Sequence, residues 1–147
     1  MDAIWIFYAW AGVKTELEGL ETDYFAFADL DSVFDFYTPV IIANNTFLAE
    51  EPETARAFLD AVSRGYEFAI EHPREAGEIL CKAAPELDPD LVKASQEYLA
   101  DKYQADAPQW GYIDQERWDA YYAWLNEKGL TETPIEAGTG CSNEYLP

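Results

Sequence analysis

The residues in this chain best suited to chemistry are aromatic rings interspersed with amides and a carboxylate. Phe7-Tyr8-Ala9-Trp10 ends a first apolar run, and a third such run is flanked by Asp35, Phe36, Tyr37 and Thr38 on one side and by Asn44, Asn45 and Thr46 on the other. That mixture suits non-covalent capture of a flat nitrogen heterocycle. Rings stack on aromatic faces, while Asp or Asn side chains meet donors and acceptors at the ring edge. Alternation along the first run puts Trp5 and Phe7 on one face and leaves Tyr8 at the start of a turn, so Tyr8 and Trp10 are better candidates than Trp5. The plainer account, in which these aromatics pack a sheet against helices, stands beside the ligand reading.

Covalent and acid–base chemistry have few carriers. The single histidine, His72, lies in Glu71-His72-Pro73 at a helix boundary and reads as an exposed helix-end residue rather than a base. No Gly-rich phosphate loop follows a strand, and neither a nucleophile elbow nor zinc-ligand spacing is present. Acidic pairs such as Glu50-Glu51 say little in a chain with 29 acidic residues. No catalytic residue, metal site or cofactor is therefore expected. Cys81 and Cys141 are too far apart in sequence for a metal or redox motif. Cys81 falls on the apolar side of a predicted helix, as a small hydrophobe does. Cys141 sits in a Gly-rich tail, and a disulfide between the two stays open.

The elements that must position these groups can be read from pattern. Ala3 to Tyr8 suits a buried parallel strand, followed by a helix from about Trp10 to Glu18 that ends at Gly19. Tyr24 to Phe27 reads as a second strand, Asp31 to Phe36 as a turn or short helix, and Tyr37 to Ala43 as a third strand with Pro39 near its start. Ligands in open α/β folds bind beyond the carboxyl ends of strands, which is where the aromatic groups fall. From Glu50 onward the signals are helical. Pro52 suits a first helical position, and Ala55, Phe58, Leu59, Val62, Tyr66, Ala69 and Ile70 recur on one face. His72-Pro73 ends that helix and starts one carrying Ala76, Ile79, Leu80 and Ala83. Asp88 and Asp114 are N-cap candidates for two more, the last with a stripe of Trp118, Tyr121, Tyr122 and Leu125 before Gly129. This order predicts an α/β fold with a short, mostly parallel sheet followed by several helices. Such a thin sheet is expected to take strands from an absent half or a second copy.

Charge narrows the partners. Nine basic against 29 acidic residues give a net charge of −20 over 147 residues, a field that repels phosphate backbones and anionic headgroups. No nucleic acid partner is expected. No apolar run approaches the roughly 20 residues of a membrane span, and the first residues carry no basic or apolar signal region.

Two C-terminal phrases, Gly111-Tyr112-Ile113-Asp114-Gln115-Glu116-Arg117-Trp118 and Ser142-Asn143-Glu144-Tyr145-Leu146-Pro147, stand out. With the Asp2-Ala3 strand entry, Tyr8-Ala9-Trp10, Asp35-Phe36-Tyr37-Thr38-Pro39-Val40, Asn44, Pro52-Glu53 with Ala61 and Gly65, and His72-Pro73-Arg74-Glu75-Ala76, they form an ordered set. Taken together, the chain resembles the C-terminal part of ABC-importer solute-binding proteins of the thiamine-pyrimidine-precursor branch, which share their fold with sulfonate and taurine receptors. The resemblance implies a periplasmic-binding-protein-like type II lobe, incomplete without its N-terminal half. About residues 1–38 would come from the second lobe, and 39–147 would cross back to the first. It further implies a non-enzymatic receptor that closes two lobes on a small heterocycle and delivers it to ABC permease subunits. Such a receptor works at the extracellular face of the membrane or in the periplasm, lipid-anchored through the preceding chain.

By position, Tyr8, Trp10 and Tyr37 would line the cleft, with Asp35 and Asn44 at its edge. Ala11 stands where the family often has an acidic residue, which leaves the exact ligand open: a pyrimidine precursor, a flavin or a sulfonate. Some relatives are pyrimidine-forming synthases that use a Cys and His cluster, which this chain lacks. Outside the resemblance, an acidic α/β interaction module is the competing class. Half of a two-lobed receptor is expected to leave apolar surface uncovered and to form a homo-oligomer.

Overall fold

The computed structural model describes residues 3–147; Met1 and Asp2, and with them part of the expected Asp2-Ala3 strand entry, lie outside the described residues. The chain is 54% helical and forms no strand among those residues. The predicted α/β fold, a type II binding-protein lobe built on a short parallel sheet, is therefore corrected. Residues 3–7 and 37–43 carry no helix, and the second predicted strand gives way at Phe27 to a short helix. A β-strand exists only through its ladder with another strand, and here the apolar runs pair with none. Trp5 and Phe7 do share one side, with ring centroids 4.6 Å apart. Yet Ile4, Trp5, Phe7, Ile41 and Ile42 are exposed, Ile42 by 87%. A short apolar run reads the same whether it enters a sheet or not.

The helices follow their local signals more closely. A π-helical turn, Tyr8–Gly12, runs into α1, Val13–Leu17. Gly19, at φ +65°, ends it, with Leu20 N donating to Thr15 O. The short α2, Phe27–Leu30, is followed by a 3₁₀ turn, Ser32–Phe34, capped by Asp31, whose carboxylate accepts from Val33 N at 3.0 Å. α3, Asn45–Glu50, was not anticipated, and α4, Pro52–Glu71, begins at the expected proline. α5, Pro73–Ala83, starts directly after the His72-Pro73 break. α6, Pro89–Leu99, is capped by Asp88, which accepts from Asp90 N at 2.9 Å and Leu91 N at 3.4 Å. α7, Gln115–Glu127, is capped by Asp114, which accepts from Arg117 N at 2.8 Å, and ends at Gly129, φ +65°.

Two compact units divide the chain, each drawn from two separate stretches. The first takes the chain up to Asp23 together with Ala61–Trp110, and the second takes Tyr24–Asp60 with Gly111–Pro147. In the first, α5 packs on α6, and α6 also meets α1 and the π-helical turn. Val13, Leu91 and Val92 form its buried core, with Val92 only 2% exposed. In the second, rings from residues 25–36 gather on α7. Phe58, Ile79 and Leu80, read as core-facing from their spacing, are instead exposed. No helix among the described residues is long and apolar enough to cross a membrane.

Candidate functional site

The second unit builds its polar cluster from a stretch that alternates like a strand without pairing as one. Phe34 and Phe36 turn toward α7, where Phe34 meets Trp124 edge-on at 5.2 Å and Phe36 stacks on Tyr121 at 4.3 Å and 20°. The intervening Asp35 and the following Tyr37 reach the first turn of α7. There, Arg117 donates from Nε to Asp35 O and from Nη2 to Asp35 Oδ1, both at 2.5 Å. The same guanidinium lies 4.4 Å from the centroid of the Tyr37 ring. Tyr37 Oη accepts from Asp114 N at 2.9 Å, which closes a loop through the helix cap. Because Arg117 and Asp35 are 37% and 59% exposed, their ion pair is an orienting contact worth at most about 1 kcal/mol.

Beside this cluster is a recess of about 60 Å³ lined by Phe36, Tyr37, Val40, Trp118, Tyr121 and Tyr122. One water needs roughly 10–15 Å³ of such space. The recess therefore takes a substituent of a ligand rather than a whole ring system.

Its far wall is held by the C-terminal tail. Trp118 Nε1 donates to Thr139 O at 2.9 Å, and the Asp119 carboxylate accepts from Gly138 N at 2.9 Å. Gly140, at φ +86°, comes so close to the Trp118 ring that a Cβ there would lie 3.4 Å from it. Asn143 pairs with Ile113 in both directions, accepting from its N–H at 2.9 Å and donating to its C=O at 2.8 Å. Arg56 holds the same tail by donating to Glu144 O, and it lies 5.2 Å from the Tyr145 ring centroid. Burial pushes the Cys141 thiol up from its ordinary range; Asp119 adds to that, and the hydrogen bond to Gln115 opposes it. Cys141 and Cys81 are both free thiols, each half-buried.

Of the five residues nominated from sequence, Asp35 and Tyr37 are brought together, through Arg117. Asn44 does not join them; its Oδ1 accepts from Thr46 N at 2.8 Å and caps α3. Tyr8 and Trp10 belong to the first unit, in the π-helical turn, a distortion that recurs at functional sites. The Tyr8 ring lies over Gly12, where any Cβ would overlap it, and 5.3 Å from Tyr98, while its hydroxyl donates to Glu16. Trp10 is 40% exposed.

Sequence reasoning gave no role in the site to Arg117 and read Trp118, Tyr121 and Tyr122 only as a buried stripe. The available signal was an arginine directly preceding aromatics at i, i+3 and i+4. A second, shallower recess of about 370 Å³, in the first unit, is lined by Val62, Gly65, Tyr66, Ala69 and Tyr103. Tyr66 there is stacked on Trp110 at 4.2 Å, and the Tyr103 hydroxyl already donates to Gln96. Among the described residues no group of three His, Cys, Asp or Glu side chains could hold a metal ion. His72 stands at the N-cap of α5 with its side chain 53% exposed.

Comparison with known proteins gives this geometry a context. A family model described as NMT1/THI5 like matches residues 1–76. The chain is 29% identical over 124 residues to a formylaminopyrimidine-binding protein of Halalkalibacterium halodurans, covering 82% of this chain and 37% of that protein. It is 24% identical over 145 residues to the riboflavin-binding protein RibY of Chloroflexus aurantiacus, covering 92% and 39%. Over 116 residues it is 38% identical to a 4-amino-5-hydroxymethyl-2-methylpyrimidine phosphate synthase of Candida albicans, covering 76% and 31%. The chain thus spans less than two-fifths of the length of these relatives.

Proposed function

The chain belongs to the NMT1/THI5 like family, and from that premise we propose that it forms part of a solute-binding protein that captures a small nitrogen heterocycle. In this reading the whole protein is two-lobed and non-enzymatic, with about residues 1–38 assigned to the second lobe and 39–147 to a return into the first. It hands its ligand to the permease subunits of an ABC importer from the extracellular or periplasmic side, where a lipid anchor would hold it. The proposed ligand contacts are Tyr8, Trp10, Asp35, Tyr37 and Asn44. The carrying observation is the aromatic recess of the second unit with a carboxylate, a guanidinium and a phenol at its side, a lining that suits a substituent carried on the edge of a flat, polar-edged ring. Names of the relatives supply the ligand class: one binds a formylaminopyrimidine, another riboflavin. By itself the 147-residue chain is proposed to associate with itself through its exposed apolar segments.

A second reading, an enzyme that makes the pyrimidine rather than binding it, is favoured by the 38% identity to the synthase. Calorimetric titration of the full-length gene product with a formylaminopyrimidine, riboflavin and an alkyl sulfonate separates the cases. Saturable binding of one heterocycle with no turnover supports the receptor. Formation of a pyrimidine phosphate by the purified protein defeats it.

A further inference from the structure

We propose that Tyr37 acts as a hydrogen-bond donor to the ligand rather than as a stacking platform, so that the heterocycle recognised here presents an acceptor, a carbonyl oxygen or a ring nitrogen, at its edge. This rests on the assignment of Tyr37 to the ligand site and refines it. Three features of one cluster carry the inference.

First, the Arg117 guanidinium, 4.4 Å from the ring centroid, already occupies one face of Tyr37. Second, the phenol oxygen accepts from Asp114 N at 2.9 Å. A phenol has a single hydrogen besides its lone pairs, and among the described residues no protein acceptor is set against that hydrogen. The backbone amide thus holds the oxygen in place and leaves the hydrogen as the group's outward function. Third, Asp35, the carboxylate expected to accept from a ring-edge amine, is held by Arg117 through both its backbone oxygen and Oδ1. Asp35 Oδ1 is thereby engaged, and the Tyr37 O–H is left as a donor with no protein acceptor among the described residues.

A site that presents such a donor discriminates through the acceptor the donor expects, because a ligand lacking it leaves a desolvated donor unmatched. The small adjoining recess, with Tyr37 and Phe36 in its wall, then admits a substituent on the same edge. Formyl and flavin carbonyls both meet this requirement, whereas an edge bearing only amines does not.

The test is a comparison of Tyr37→Phe with wild type in the full-length gene product, titrated with a formylaminopyrimidine and with the benzene analogue that lacks both the ring nitrogens and the formyl group. Phenylalanine keeps the ring and its contact with Arg117 and removes the hydroxyl, which also takes the acceptor from Asp114 N; that structural loss falls on both probes alike, so only a loss confined to the formylaminopyrimidine reports the donor. The expected result is a loss of roughly 3- to 10-fold in affinity for the formylaminopyrimidine, the scale of one neutral hydrogen bond, with the weaker affinity for the benzene analogue unchanged. Unchanged affinity for the formylaminopyrimidine would overturn the inference. So would an equal loss for both probes, since a stacking or purely structural role moves both. If the wild-type protein bound neither these probes nor riboflavin, the receptor reading itself would fail, and the inference with it.

Discussion

Replacing Asn143 by alanine should free the segment that leads into α7, and the structure sets the size of the effect. The carboxamide makes two hydrogen bonds to one residue, Oδ1 from Ile113 N at 2.9 Å and Nδ2 to Ile113 O at 2.8 Å, both partly buried. Each nets about 0.5–1.5 kcal/mol, so Asn143→Ala should cost about 1–3 kcal/mol locally. Asn143→Asp keeps an acceptor for the amide but sets an anion against the Ile113 carbonyl, and should cost at least as much. Global denaturation is a poor readout because a chain of two compact units need not unfold in one step. Amide hydrogen exchange at Ile113 is direct: its rate should rise roughly 5- to 150-fold, while Leu91 and Val92 in the other unit exchange as in wild type. An Ile113 amide that stays as protected in Asn143→Ala as in wild type would refute the reasoning.

Other outcomes follow from the same physical picture. Trp10→Ala in the full-length gene product should weaken heterocycle binding by roughly 1–3 kcal/mol, the value of a lost aromatic anchor; calorimetry showing equal affinity would remove Trp10 from the site. Val92→Ala, at the most buried side chain, should destabilise the first unit by roughly 2 kcal/mol, read as faster exchange throughout α5 and α6. Burial, aided by Tyr66 and opposed by the Gln96 hydrogen bond, raises the Tyr103 phenol above its ordinary value of 10.0. The folded state therefore favours the protonated phenol. The stability this contributes is complete below pH 10 and is lost as the pH climbs through the raised value; absorbance titration of wild type against Tyr103→Phe should show a phenolate that appears late. The isolated 147-residue chain should associate through exposed residues such as Ile4 and Ile42, because charge repulsion is screened beyond about 8 Å at physiological salt; light scattering from a monomer at every concentration would contradict this.

What could be read from sequence was local. Asp88 and Asp114 were legible as caps because a cap bonds two or three residues ahead within its own turn. Pro52, Pro73, Gly19 and Gly129 likewise act on their own backbone. The missing sheet is the opposite case: Tyr37 to Ala43 has the composition of a strand, but pairing depends on a partner that no residue within the segment specifies. Asn44 was singled out for its amide and assigned to the cleft edge. It caps α3, a helix that the same asparagine could have announced. In the candidate site, Asp35 and Tyr37 were nominated as ligand contacts, and the structure sets both against Arg117, which lies 82 residues beyond Asp35, a separation that no local pattern bridges. The phrase Ser142 to Pro147 was conspicuous for a reason only the fold supplies: Asn143 is the rung that ties the tail to Ile113, 30 residues earlier.

The interleaving of the two units also sets a timetable for biosynthesis. Each unit is completed by a stretch made long after its first, and in the second unit Asp35 precedes Arg117 by 82 residues. At about 5–20 residues per second, roughly 4–16 s separate them on the ribosome. Throughout that interval Phe34 and Phe36 have no α7 to cover them, and the nascent chain carries an aromatic, aggregation-prone stretch that a chaperone could shield. The speed of elongation between residues 60 and 111 sets how long that stretch stays uncovered.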